Sequence, residues 1–305
     1  MRKVFLFILL IASIQLVAQQ KQMTLEDAIL GASSYLRAES MQGLSWQTDD
    51  VFTYVKNDTL WAETAKKGEK TIVTTHDELN TYINTGDEVA FRRFPGYSWI
   101  EGKLLMVQNN GRYFVFNPEE KQLVYEIKLP GEAENTVFNH AGKFVAYTVN
   151  DDLFVTFSTG KTIQVTDDGG NGIVSGKTVH RSEFGITNGI FNSPKGNFIA
   201  FYRKDETKVS DYPLVDYMTR VAEHNSIKYP MAGMDSEHVT VGIYNISSEK
   251  TQFLKTGGDP EHYLTNLAWS PDEKNIYLAE LNRGQDHMHL NCYDVVSGEK
   301  VRTLF

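Results

Sequence analysis

The stretch Val179–Tyr202 reads VHRSEFGITNGIFNSPKGNFIAFY, and its two halves decide both the fold and where chemistry is to be sought. The second half passes from Phe191-Asn192 through a Ser193-Pro194-Lys195-Gly196 turn into the apolar run Phe198-Ile199-Ala200-Phe201-Tyr202. Pro and Gly between short runs rich in aromatic and β-branched residues mark a hairpin. The first half is polar and carries His180, Arg181 and Glu183. Reactive side chains are therefore expected at the mouth of a rigid β unit.

Working outward, the hairpin recurs. Leu44 to Tyr54 aligns with Leu267 to Tyr277, and weaker copies are Tyr97 to Leu105, Phe138 to Tyr147 and Phe191 to Phe201. Anchored on positions 46, 99, 139, 192 and 269, the spacings are 53, 40, 53 and 77 residues. Periods near 40 to 50 mark propeller blades rather than a sandwich. A second hairpin follows each copy, as in Val241-Gly242-Ile243-Tyr244-Asn245 before Ser248-Glu249-Lys250. Two hairpins per period make a four-stranded blade that buries its faces only against neighbouring blades.

The sequence therefore predicts an all-β chain, a partial β-propeller over residues 41–305 with about five blades, the chain stopping inside the fifth. The 77-residue spacing is assigned to an insertion at 203–237, too polar and Pro-broken for a hairpin. A helical segment is expected at 19–40, where Thr24 caps a helix with Leu25, Ile29, Ala32 and Leu36 on one face. No other helix is expected.

Arg2 and Lys3, the apolar run Val4 to Val17 and the polar stretch after Ala18 have the layout of a secretory signal peptide at residues 1–18. A secreted or periplasmic destination follows, with an uncleaved membrane anchor as the alternative. One cysteine, Cys292, excludes an internal disulfide framework. The net charge of −9 argues against nucleic acid and anionic membranes as partners, since both select basic patches.

Two motif look-alikes fail on spacing. Gly170 to Thr178 ends in Gly-Lys-Thr, but Asn171 stands where a phosphate loop needs Gly. Gly96-Tyr97-Ser98-Trp99-Ile100 lacks the second Gly of a nucleophile elbow. His287 and His289 would share a strand face, but no third ligand is spaced to complete a metal site, so no metal and no cofactor is expected. A carboxylate on a rim loop is ordinarily only solvated, which leaves His180, Arg181 and Glu183 to be weighed by context.

That context is a resemblance. Glu183-Phe184, then Phe191 to Tyr202, Asp205-Glu206-Thr207-Lys208-Val209, Pro213-Leu214-Val215-Asp216-Tyr217 and Tyr229-Pro230-Met231-Ala232-Gly233 resemble, in order and spacing, the propeller of dipeptidyl peptidase IV in the prolyl oligopeptidase family of serine peptidases. The resemblance implies an eight-bladed propeller capping an α/β-hydrolase domain. It also implies acidic propeller residues that grip the free α-amino group of a peptide N-terminus, so that Xaa-Pro-type dipeptides are released. Glu183 is the matching position. Arg181 is assigned, on proximity in the sequence, to orient Glu183 or a substrate carbonyl.

The sequence departs from the family in three places: Ser182 where a second glutamate is common, Met231 for a basic residue, and Asn192 for an aromatic. The hydrolase domain and its Ser, Asp and His are not matched in this chain, which is expected to be inactive alone. The resemblance allows a homodimer of the full-length protein. The rival reading is a non-catalytic periplasmic propeller that binds protein partners, and a third is a pseudoenzyme subunit.

Overall fold

The computed structural model describes residues 22–37, 40–83 and 90–305. The signal-peptide layout at residues 1–18 lies outside them. Two compact units are present, Met1–Gln42 and Gly43–Phe305. In the first, Thr24 and Asp27 cap reciprocally: the Asp27 amide donates to Thr24 Oγ1 at 3.0 Å and the Thr24 amide to Asp27 Oδ2 at 3.1 Å. The helix they start is short, a π-helical turn at Asp27–Gly31. Its expected apolar face, Leu25, Ile29 and Leu36, is exposed.

The second unit builds five blade-sized antiparallel sheets among the described residues. The first comprises β1 (Gln42–Trp46), β2 (Val51–Lys56), β3 (Thr59–Thr64) and β4 (Lys70–Thr75). Helix α1 (His76–Ile83) follows. The second sheet is β5 (Tyr97–Ile100), β6 (Leu104–Asn109), β7 (Arg112–Asn117) and β8 (Gln122–Lys128), and the third is β9 (Glu134–Asn139), β10 (Phe144–Val149), β11 (Asp152–Phe157) and β12 (Thr162–Gln164).

In the fourth sheet, β13 (Ile173–Ser175) and β14 (Ile190–Asn192) lie end to end along β15 (Phe198–Asp205). Two small ribbons come next, β16 (Asp211–Tyr212) with β19 (Ile227–Lys228) and β17 (Val215–Asp216) with β18 (Glu223–His224). The sheet then resumes with β20 (His238–Asn245) and β21 (Lys250–Phe253). The fifth is β22 (Tyr263–Trp269), β23 (Asn275–Leu281), β24 (Met288–Asp294) and β25 (Lys300–Thr303).

These elements explain the uneven spacings. The first 53 residues contain α1, the second contain β13 and the segment after it, and the 77 contain the ribbons at 206–237. Arg203, Lys204 and Asp205 are still strand. Two expectations need correcting. Helix α1 starts on a capping box, with the Glu78 amide donating to Thr75 Oγ1 at 3.2 Å and the Thr75 amide to Glu78 Oε2 at 3.3 Å. The Thr75-x-x-Glu78 signal was present in the sequence, masked by the strands around it. The fifth sheet is also complete, because β25 pairs with β24. All four residues of β25 are exposed, so it carries no alternation to read.

The core lies between sheets. Alternate residues of β15 face opposite neighbours: Ile199 and Phe201 pack with the third sheet's Phe144 and Val155, while Ala200 and Tyr202 pack with the fifth sheet's Leu264 and Ile276. Period-2 alternation with both faces apolar is what a strand between two sheets requires. Full burial of a side chain such as Phe201 contributes about 1.5–3 kcal/mol. Equivalent clusters join the first sheet to the second through Leu60, Leu105 and Phe116, and the second to the third through Tyr113, Ile127 and Tyr147. Among the described residues no cluster joins the fifth sheet back to the first, so the propeller is not closed.

Hydrogen bonds at the repeat position tie the blades together. Trp99 Nε1 donates to Thr53 Oγ1 at 2.8 Å and Trp269 Nε1 to the Phe191 carbonyl at 3.0 Å, each reaching the preceding blade. Asn192 stands where an aromatic was expected, and its Nδ2 donates to the Val137 carbonyl at 3.0 Å. The amide thus keeps the donor and gives up the ring. Trp269→Phe and Asn192→Leu are each expected to lower stability by about 1 kcal/mol through loss of that bond, read as a shift of the urea unfolding midpoint.

Candidate functional site

The inner strand of the fourth blade is one strand interrupted. β13 and β14 both pair with β15, and the chain leaves between them as a loop at 176–189. Its two ends meet at one residue: the Gly176 amide donates to the Tyr202 carbonyl at 2.9 Å, and the Tyr202 amide to the Gly189 carbonyl at 3.0 Å. The neck is so tight that a Cβ on Gly189 would lie 2.1 Å from the Lys177 carbonyl oxygen. The loop leaves part-way along β15, opposite Tyr202, and reaches the end of that strand from which the ribbons at 206–237 start, where Arg181 lies over Tyr229 and the His180 amide meets Glu237.

The loop carries His180, Arg181 and Glu183 on a left-handed turn. His180, Arg181 and Ser182 have φ of 49°, 55° and 60°, and Phe184 has 56°. Such backbone costs roughly 1–2 kcal/mol per non-glycine residue, and neither Gly nor Asn occupies these positions. Local bonds close the turn, from the Ser182 amide to Val179 O at 2.9 Å and the Glu183 amide to His180 O at 3.0 Å.

Buried polar groups hold it from beneath. The His180 amide donates to Glu237 Oε1, and the Leu264 amide donates to His180 Nε2 at 3.0 Å. With Nε2 accepting, the imidazole proton sits on Nδ1, 3.4 Å from Glu237 Oε1. Lys204 Nζ lies 2.8 Å from Glu206 and 4.0 Å from Glu237 Oε2. His180 is 6% exposed and Glu237 9%. Burial, helped by His262, Arg283 and Lys204, pulls the His180 pKa down to about 4. Burial pushes the Glu237 carboxyl up, against the opposing pull of Lys204 and the His180 amide.

Above this foundation the two predicted residues diverge. The Arg181 guanidinium lies 4.2 Å over the Tyr229 ring, a cation–π contact with the insertion rather than an ion pair with Glu183. Glu183 is exposed, and its carboxylate has no side-chain partner among the described residues. Phe184 packs against Tyr263, which also meets the His180 ring edge-to-face and lies under Arg283. An open pocket of about 800 Å³ lies between the inner strands, lined in part by Trp99, His140, Asn192 and Trp269. Neither Arg181 nor Glu183 belongs to its lining.

The sequence reading did not find Glu237, Lys204 or Tyr263 as parts of this site. The available signal was a lysine and a glutamate at the ends of two strands otherwise built to be buried. The His287 and His289 rings are 4.6 Å apart, but among the described residues no three His, Cys, Asp or Glu side chains gather as a metal site. No described helix is long and apolar enough to cross a membrane.

The fold is that of a β-propeller segment, and comparison with known proteins agrees. The profile of the dipeptidyl peptidase IV (DPP IV) N-terminal region matches residues 107–304, and the chain belongs to that family. A Bacteroides ovatus crystal structure assigned as a dipeptidyl aminopeptidase IV is similar at 40% identity and a TM-score of 0.82, over 92% of this chain and 39% of that one. Porphyromonas gingivalis dipeptidyl peptidase 4, at 20% identity and a TM-score of 0.69 over 93% of this chain and 42% of that one, shares the fold. A protein of Podospora anserina assigned as a dipeptidyl-aminopeptidase B is 26% identical over 217 residues, which are 63% of this chain and 23% of that protein. The chain thus spans about a quarter of the length of the curated relative and about two-fifths of the solved ones.

Two outcomes are expected at the loop. Gly189→Ala places a methyl against backbone that cannot move away, and should lower stability by about 2 kcal/mol and raise amide exchange across residues 177–188. In ¹⁵N-edited NMR the His180 ring should remain neutral, with the proton on Nδ1, until the pH approaches about 4. The sign follows from linkage: the folded state holds this proton less tightly than the unfolded chain. Its contribution to stability is therefore complete above the ordinary value of 6.5 and is lost as pH falls towards about 4.

Proposed function

We infer that this chain is the substrate-recognition portion of a longer serine exopeptidase of the dipeptidyl peptidase IV type, in which Glu183 receives the free α-ammonium of a peptide. The observation that carries this reading is the match of residues 107–304 to the DPP IV N-terminal region, within which Glu183 is an exposed carboxylate, on the loop beside the insertion, with no side-chain partner among the described residues. An ammonium has three N–H donors to satisfy, and a carboxylate that spends no lone pair within the protein is free to accept them. Gripping the amino terminus at a fixed point sets the distance to the scissile bond, which selects dipeptides. Arg181, stacked on Tyr229, stands two residues away to meet a substrate carbonyl.

The hydrolytic residues belong, in this proposal, to an α/β-hydrolase domain outside this chain, and the propeller gates access to them. The signal-peptide layout supports a secreted or periplasmic location. A second reading, a non-catalytic partner-binding propeller, draws on the exposed apolar tip of the insertion, where Tyr217 is 80% and Met218 83% exposed. The same tip would serve a homodimer of the full-length protein.

Reading the source DNA beyond Phe305 separates the two: a hydrolase with a G-x-S-x-G elbow supports the peptidase, and an immediate stop codon supports the binding module. In the full-length protein, Glu183→Gln removes a charge-assisted bond of about 1.5–3 kcal/mol. It should lower kcat/KM on an Xaa-Pro substrate roughly 10- to 150-fold without changing the unfolding midpoint. Unchanged kinetics would remove Glu183 from the site.

A further inference from the structure

A left-handed turn of three ordinary residues does not hold itself. His180, Arg181 and Ser182 would each relax to right-handed backbone if released. Its two local hydrogen bonds close the turn but do not attach it to the blade. Ring contacts attach it through Arg181 to Tyr229 and through Phe184 to Tyr263, and its hydrogen-bonded attachments are at His180, whose ring accepts from Leu264 on the fifth sheet and whose amide donates to Glu237. Glu237 stands just before β20, so it bridges the base of the insertion and the first residue of the turn.

We propose that Glu237 is a positioning residue: its buried carboxylate holds the His180–Ser182 turn in the arrangement that presents Glu183 to a peptide ammonium. The inference rests on the reading of Glu183 given above. Lys204 keeps Glu237 compensated and is itself shared with Glu206, so loss of Glu237 does not strand the lysine. What is lost is the acceptor for the His180 amide, a buried donor with no alternative side chain beside it. Reach is therefore the property that matters, more than charge. Gln at 237 keeps an oxygen at the same distance, Asp withdraws it by one methylene, and Leu removes it.

The test is binding of Ala-Pro amide and its N-acetyl counterpart to the full-length protein by isothermal titration, scored as the preference for the free amine. A global loss of folding lowers the amount of active protein but leaves that preference unchanged, whereas displacement of Glu183 lowers it. Glu237→Leu and Glu237→Asp should reduce the preference about tenfold, Glu237→Gln should stay within about twofold of the parent, and Glu183→Gln combined with Glu237→Leu should be no worse than Glu183→Gln alone. If Glu237→Leu does not fold, Glu237→Asp carries the same comparison. Full preference in folded Asp or Leu variants, an additive double variant, or loss in Gln with retention in Asp overturns the proposal. If the parent shows no preference, or Glu183→Gln keeps it, the reading of Glu183 itself fails, whatever the variants at 237 do.

Discussion

Packing of one sheet's face against the next is the constraint on which this molecule depends. No disulfide is available, since Cys292 is the single cysteine and is buried, and the helices are too few to cover the sheets. Each blade must therefore present apolar side chains on both faces, and β15 does so with Phe201 on one side and Tyr202 on the other. Removing one blade would expose two faces, so the stability of any sheet is a property of its neighbours. The Trp99, Asn192 and Trp269 hydrogen bonds act across the same junctions. Dispersion holds the sheets together, and these bonds fix how they are aligned.

This division explains why the fold was legible in the sequence. The apolar alternation and the Pro-Gly turns of the inner hairpins are forced by burial on two faces, so they repeat visibly even where Asn139 and Asn192 replace tryptophan. The outermost strands answer to no such demand. β25 is exposed along its length, and its absence from the pattern made the fifth blade look unfinished. Helix α1 escaped notice for a different reason: its capping box is only four residues long and sits at the end of a strand, where Thr75 reads equally well as β.

The site was legible only in its exposed half. Arg181 and Glu183 stand out as charges next to an apolar hairpin, and the resemblance to a family pointed to them. What holds them comes from elsewhere in the chain, with Glu237 57 residues after His180 and Leu264 84 residues after it. Local sequence gives no hint of the left-handed turn, because glycine and asparagine, the usual markers of that backbone, are missing from it. Tertiary contacts impose the conformation, and buried charges at strand ends were its only trace. The pairing of Arg181 with Tyr229 was likewise out of reach, since it required knowing that the insertion starts from the end of β15 that the loop reaches.

One consequence of the neck at Tyr202 concerns variation. Because both ends of the loop bond to the backbone of a single residue, the number of residues between Gly176 and Gly189 is uncoupled from the register of β15 with β20. The loop's exposed residues, Arg181, Ser182 and Glu183, can change without moving any strand of the blade, while Val179, His180 and Ile186 remain tied to the core between the fourth and fifth sheets. The exposed surface of the loop is thus free to vary while the packed interior of the blade stays as it is.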